Sequence, residues 1–447
     1  MRRLILIILF FCGTAVNGQN LTFIQVDTTT YNQYLRGEWK DLTSTGREAL
    51  DAGIDYYYLQ MRMAWAWFSM GRYRQAIKYY RNALGHNSGD PIANEYLYYA
   101  YKYSGRHNDA LLQTSALTTE QKKAMGIKDS VNFISFGLNY AWSTANAGSI
   151  MDRIVNGIED LDPLNGTQKA THHLNFAQIG LSHRLGKAVI LKHQGAYLHK
   201  YELSYATVGG VGYLSPEQPV NQFEYSGNME ITPVKGLLIT PGVHFLNTSL
   251  PIYAATSYGL NSDANRTPVS NLVIRNWVTS IQVETKAKFF DLGLSFTHHN
   301  FNNIGTLQSG FHATAYPMAN LNLYLSIDGY AQFHSINGVT NTEFVIKPLV
   351  GVKLHNNFWL EVTGKAPEHY NFYDVRNAIA YNSIEKNASV LEINGIIPAY
   401  RFGMQIFVGY KYQNQSSWFF PQNDMLNPLN KQIYNSHLIT GGIKWTK

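Results

Sequence analysis

The sequence predicts two parts, α and β in separate domains. A short array of α-helical hairpins comes first, followed by an antiparallel transmembrane β-barrel of about 14 strands. Three observations carry this. Gly37, Gly71 and Gly105 recur at a spacing of 34 residues (71 − 37 = 105 − 71), the scale of one helix–turn–helix unit. From about Val131 to Lys447 helical periodicity gives way to period-two alternation in tyrosine-rich stretches. Charged residues make up only 15% of the chain while aromatics reach 14%, whereas about a quarter of the residues of an ordinary soluble domain are charged. A lipid-facing wall with interfacial aromatic girdles has this composition.

The first residues have the form of an export signal: basic Arg2 and Arg3, an apolar run from Leu4 to Phe11, and small residues to Gly18. The expected boundaries are a signal peptide over 1–18, a helical domain over 19–130 and a barrel over 131–447. The run Leu4–Phe11 is too short to span a bilayer, which takes about 20 apolar residues. The single cysteine, Cys12, falls inside this segment, so the mature chain has neither a disulfide framework nor a thiolate metal site. Lipidation of Cys12 is a weaker reading, because bulky Phe10 and Phe11 precede it. A net charge of +6 without a basic run is too small and too dispersed to argue for a nucleic-acid partner, and none is expected.

In the helical segment the clearest unit runs from Asp55 to Asp90. Its Ala64, Trp67, Gly71, Tyr73, Ala76, Tyr80 and Ala83 place small residues where paired helices approach and large ones between them. Gly71 is expected to end the first helix in a left-handed cap, and Pro91 to open the next helix. A shift of 34 residues matches Tyr101, Gly105 and Ala110, with Arg72 recurring as Arg106; the unit around Gly37, Trp39 and Leu42 is partial. These positions resemble the tetratricopeptide consensus. An unrelated helical hairpin is the alternative. The resemblance implies that the first helix of each unit lines a concave face, which places Tyr58, Met61, Trp65, Phe68, Tyr99 and Lys102 there. Those aromatics either anchor a peptide or glycan or simply pack on the next helix or on the barrel rim.

Alternation is clearest at Gln222–Ile231, Phe290–Thr297, Leu321–His334 and Phe402–Gln413. Apolar-out and polar-in is the barrel pattern; a soluble β-sandwich is the alternative. Tight turns are expected near Leu185–Lys187, Thr232–Gly236, Thr285–Lys288, Pro317–Asn320, His355–Asn357 and Pro398–Arg401. Long links are expected near 143–168, 206–218, 250–268, 366–386 and 414–431, on the other side. Pro241 and Pro348 sit inside two expected strands, where a closed barrel lacks an edge for the missing donor.

No catalytic, cofactor or metal motif is present. His172-His173 and His298-His299 are adjacent pairs, expected to point to opposite faces of a strand and so not to chelate. Glu159, Asp160 and Asp162 have too few neighbouring oxygen ligands for calcium. The expected lumen charges are Glu224, Glu230, Asp291, Asp328, Glu361, Lys347, Lys365 and Lys411, which either pair as a plug or line a path.

Repeats followed by a barrel resemble the exopolysaccharide-export porins, the YaiO-like family and the surface-lipoprotein assembly modulators. The resemblance implies a non-enzymatic protein of the Gram-negative outer membrane, embedded in its lipid, with the repeats in the periplasm. It implies export or assembly of a cell-surface polymer, most readily polysaccharide. Protein or lipoprotein translocation, or a scaffold with a plugged barrel, is the alternative.

Overall fold

The computed structural model describes residues 21–128, 133–145, 165–208, 211–214, 217–252, 270–336, 339–382, 385–399, 402–421 and 429–446. The leader, Cys12 and the acidic trio Glu159, Asp160 and Asp162 lie outside the described residues. Two compact units emerge: Met1–Ser104 with Gln113–Gln121, and Gly105–Leu112 with Lys122–Lys447.

The helical run comprises α1 (Phe23–Arg36), α2 (Trp39–Asp51), α3 (Tyr57–Ser69), α4 (Tyr73–His86), α5 (Pro91–Tyr103), α6 (His107–Gln113) and α7 (Thr119–Ala124). Thr22 and Gln25 form a reciprocal capping box that starts α1. At the start of α5, Asp90 accepts the Ala93 N–H at 2.6 Å and Pro91 occupies the first turn. The three equally spaced glycines follow α1, α3 and α5 with φ of +70°, +69° and +78°. That left-handed region is strained for a residue with a Cβ. At Gly71 its N–H donates to Phe68 O and the Arg72 N–H to Trp67 O, both at 2.9 Å, and these bonds satisfy the last carbonyls of α3. Ala64, Ala76 and Ala83 are wholly buried, and Trp67 and Tyr80 nearly so. Small residues thus lie at the close approaches and large ones fill the space between.

The second unit is a closed antiparallel barrel of 14 strands. Its wall strands are β1 (Phe133–Ala145), β2 (Gly166–Arg184), β3 (Val189–Val208), β5 (Gln218–Ile231), β6 (Leu237–Ile252), β7 (Ser270–Lys286), β8 (Phe290–His299), β9 (Thr306–Ala315), β10 (Leu323–Ile336), β11 (Val339–His355), β12 (Phe358–Lys365), β15 (Lys386–Ala399), β16 (Met404–Pro421) and β17 (Leu429–Thr446). A short β4 (Val211–Leu214) folds back antiparallel on the end of β3. Closure comes from β1 and β17, paired from Ser135↔Thr446 to Ala145↔Ser436. Because Ser135 also faces Ser182, just before the turn at 185–188, the wall starts and ends at the short-turn end.

Side-chain direction in the wall reverses that of a soluble protein. Phe223 and Phe296 are each 60% exposed, as are many large apolar residues in phase with them, while Gln222, Ser295 and Thr297 beside them are buried. Lipid on the outside and polar contacts on the inside give this pattern. Each interior proline breaks one ladder only. The β5–β6 ladder skips from Asn228↔Gly242 to Ile231↔Ile239 around Pro241. The β11–β12 ladder stops at Leu349↔Thr363 beside Pro348 and resumes as a single bridge, Ile346↔Ala366. The missing N–H therefore costs a local gap, not a strand.

One strand expectation is corrected. On β2 the pairing shifts from Thr171↔Glu202 to His173↔Tyr201, leaving His172 as an extra residue in a bulge. The two rings lie 4.8 Å apart instead of diverging to opposite faces. The second pair obeys the alternation: His299 is buried and stacks on Phe301 at 4.2 Å, while His298 meets half-exposed Trp277 at 4.9 Å.

Candidate functional site

The long link after β12 does not stay outside the barrel. It forms a small hairpin of β13 (Phe372–Asp374) and β14 (Ile379–Tyr381), whose partners are buried, inward side chains of several wall strands. Phe372 packs on Tyr330 and Val345; Tyr373 and Ala378 pack with Leu246, Val278 and Phe301. A segment that meets β6, β7, β10 and β11 by their inward faces lies in the lumen. Burying Phe372 and Tyr373 contributes about 1.5–3 kcal/mol each.

Charges and amides fix the hairpin's register. Lys347 Nζ reaches Asp374 at 2.6 Å, with Asp374 only 2% exposed in its side chain. Arg376 lies 3.3 Å from the Asp328 carboxylate, which His312 also contacts at 2.6 Å. Gln308 donates to Tyr373 O and Gln332 to Asn371 O, each at 2.8 Å. Asn382 donates to Gln222 at 2.8 Å. Lys365 Nζ sits 3.4 Å from the Tyr381 ring centre, and Lys411 Nζ 3.5 Å from the Tyr381 hydroxyl. Beyond the hairpin, Glu385 accepts the Thr171 N–H and hydroxyl at 2.6 Å each, and also meets the Tyr434 hydroxyl.

Of the eight lumen charges expected from sequence, Asp328, Lys347, Lys365 and Lys411 contact this hairpin. The other four are placed elsewhere on the inward wall. Glu224 meets His244 at 3.1 Å, Glu230 pairs with Lys192 and takes a 3.1 Å bond from Asn108, Asp291 accepts from Tyr316 at 2.9 Å, and Glu361 bonds Tyr324. Sequence reasoning missed Asp374, Arg376, His312 and Gln308. A signal was present: the link carries Phe372, Tyr373 and Tyr381, more aromatic surface than a solvated connection holds.

In the helical unit, Trp65, Phe68 and Tyr99 join one aromatic run. Trp65 meets Tyr96 at 4.8 Å, Phe68 meets Tyr103 at 6.2 Å, and Tyr99 stacks on Tyr103 at 5.8 Å and 18°. Tyr58 is 63% exposed, Met61 is half-buried and Lys102 is exposed. Arg62 lies 5.1 Å from the Tyr31 ring and 5.9 Å from that of Tyr58, and bonds Asp27 at 2.7 Å. Tyr31, Arg62, Tyr96 and Tyr103 belong to this surface and were not foreseen. The Asp27 carboxyl sits below its ordinary value. Burial opposes the charge, but the hydrogen bonds from Arg62 and Tyr56 outweigh it.

No family model matches the chain, and no curated protein matches it. Similar solved structures include a deletion mutant of the TodX monoaromatic hydrocarbon channel (8% identity, 71% of this chain and 90% of that one, TM-score 0.42). A Pseudomonas aeruginosa FadL homologue (9%, 71% and 90%, 0.39) and the P. putida toluene transporter TodX (8%, 72% and 91%, 0.39) are others. At such identities and scores the likeness is one of architecture and says nothing of cargo. Among the described residues, the chain is a closed 14-stranded antiparallel barrel preceded by seven helices.

Proposed function

We propose that this chain is a non-enzymatic outer-membrane protein for export or assembly of a cell-surface polymer, with a barrel closed at rest and a tetratricopeptide-like array in the periplasm. The observation that carries the closed state is the hairpin 372–381, packed and ion-paired against the inward wall. The wall begins and ends at the short-turn end, which faces the periplasm in barrels of this type. That supports a periplasmic array. Polysaccharide is the favoured cargo, because the run Trp65, Phe68, Tyr96, Tyr99 and Tyr103 offers flat faces for sugar rings beside Lys102. In this reading the hairpin moves aside during passage, and Glu224, Glu230, Asp291 and Glu361 stay on the wall as polar lining.

A second reading has a specific observation in its favour. The complete burial of Phe372 and the near-complete burial of Tyr373 suit a permanent plug, and hence a scaffold that binds protein or lipoprotein through the helices. Replacing Glu368–Asn382 by a short Gly-Ser link separates the two. The conduit reading expects the parent to be closed in planar bilayers and the variant to conduct. A variant that remains closed while still folded would refute the conduit and leave the scaffold.

A further inference from the structure

We propose that His172, His173 and Glu217 form a divalent transition-metal site on the outer surface of the barrel, towards its long-connection end. The bulge at His172 is what creates it. Regular alternation would send one imidazole into the lumen and the other outward. The extra residue instead leaves both rings together, 4.8 Å apart at 64°. Thr171 marks the inward side, where it bonds Glu385, while Ile179 and Leu181, in phase with His173, are exposed on the outside.

Glu217, just before β5, completes the set: its carboxylate contacts His172 Nδ1, and one donor atom from each of the three residues lies within 4.8 Å of the others. Ligands on a tetrahedral zinc ion stand about 3.4 Å apart, given metal–nitrogen bonds near 2.1 Å. A modest side-chain rotation therefore closes the site. Two imidazole nitrogens and one carboxylate oxygen select zinc, copper or nickel over calcium and magnesium, which require mostly oxygen. Three protein ligands leave a coordination position open to water or to a donor from outside the chain. Tyr201, whose ring is 4.6 Å from that of His173, restricts the imidazole's rotation.

The test uses the full chain in detergent micelles, titrated with zinc by calorimetry and with copper for electron paramagnetic resonance. One ion per barrel is expected, with nitrogen hyperfine structure from two imidazoles. His173→Gln and Glu217→Gln should each weaken zinc binding at least tenfold. The regular pair supplies the control, and His298→Gln should leave affinity unchanged. Heat-modifiable electrophoretic mobility reports that each variant is folded, and Glu217→Gln lies outside the strand ladder, so it tests the site even if His173→Gln fails to fold. Absence of stoichiometric binding by the parent overturns the proposal, as does a folded Glu217→Gln variant that binds zinc as tightly as the parent.

Discussion

Asp374→Ala removes one half of the Lys347–Asp374 pair and leaves a buried ammonium with no counter-charge at 2.6 Å. Breaking a buried pair from one side costs about 3–5 kcal/mol in a dry interior. The lumen wall is polar and carries Asp328 as well, so the cost drops to or below the bottom of that range, about 2–3 kcal/mol. Each 1.4 kcal/mol is tenfold in an equilibrium, so the population with the hairpin displaced should rise roughly 30- to 150-fold. The remaining ties, from Gln308, Gln332 and Arg376, keep the rest of the hairpin in register. Planar-bilayer recordings give the open fraction directly. The double variant Lys347→Met/Asp374→Asn removes both charges and nearly keeps the volume, so it should return near the parent value. A single variant no more open than the parent refutes the electrostatic latch. So does a double variant as open as the single one.

Gly71→Val places a β-branched residue at φ +69°, and should lower helical stability by at least about 1–2 kcal/mol in circular-dichroism melts while barrel mobility on gels stays unchanged. Trp65→Ala with Tyr99→Ala should weaken polymer binding, read by co-sedimentation with purified surface polysaccharide, without altering the helical spectrum; undiminished binding moves the cargo surface elsewhere. Asp27 has a depressed carboxyl pKa, so its stabilisation is full above the unfolded value and is lost as pH falls through the lower folded one. Helical melts should therefore weaken on acidification into that window, and Asp27→Asn should flatten the dependence. Cysteines at positions 347 and 411 should resist bulky lipid-soluble reagents, since both parent lysines contact the lumenal hairpin.

The two-part architecture was legible because it rests on local periodicities. A spacing of 34 residues with glycine at each helix end, and alternation such as Phe290, Leu292 and Leu294 against Asp291 and Ser295, are properties of neighbouring residues alone. The inward direction of Asp328, Lys347 and Lys411 followed from the same rule. Their partners did not. Lys347 meets Asp374 from a link that any sequence pattern places outside the wall. Only the closed barrel brings β6, β7, β10 and β11 around one space that Phe372 and Tyr373 can fill. His172 fails for a different reason: one extra residue in β2 shifts the phase of alternation, and whether a strand absorbs that residue as a bulge depends on the registers of its neighbours. Periodicity sets which way a side chain points. The closed circuit of hydrogen bonds decides what it meets, because partners across the lumen are joined by no short-range constraint along the chain.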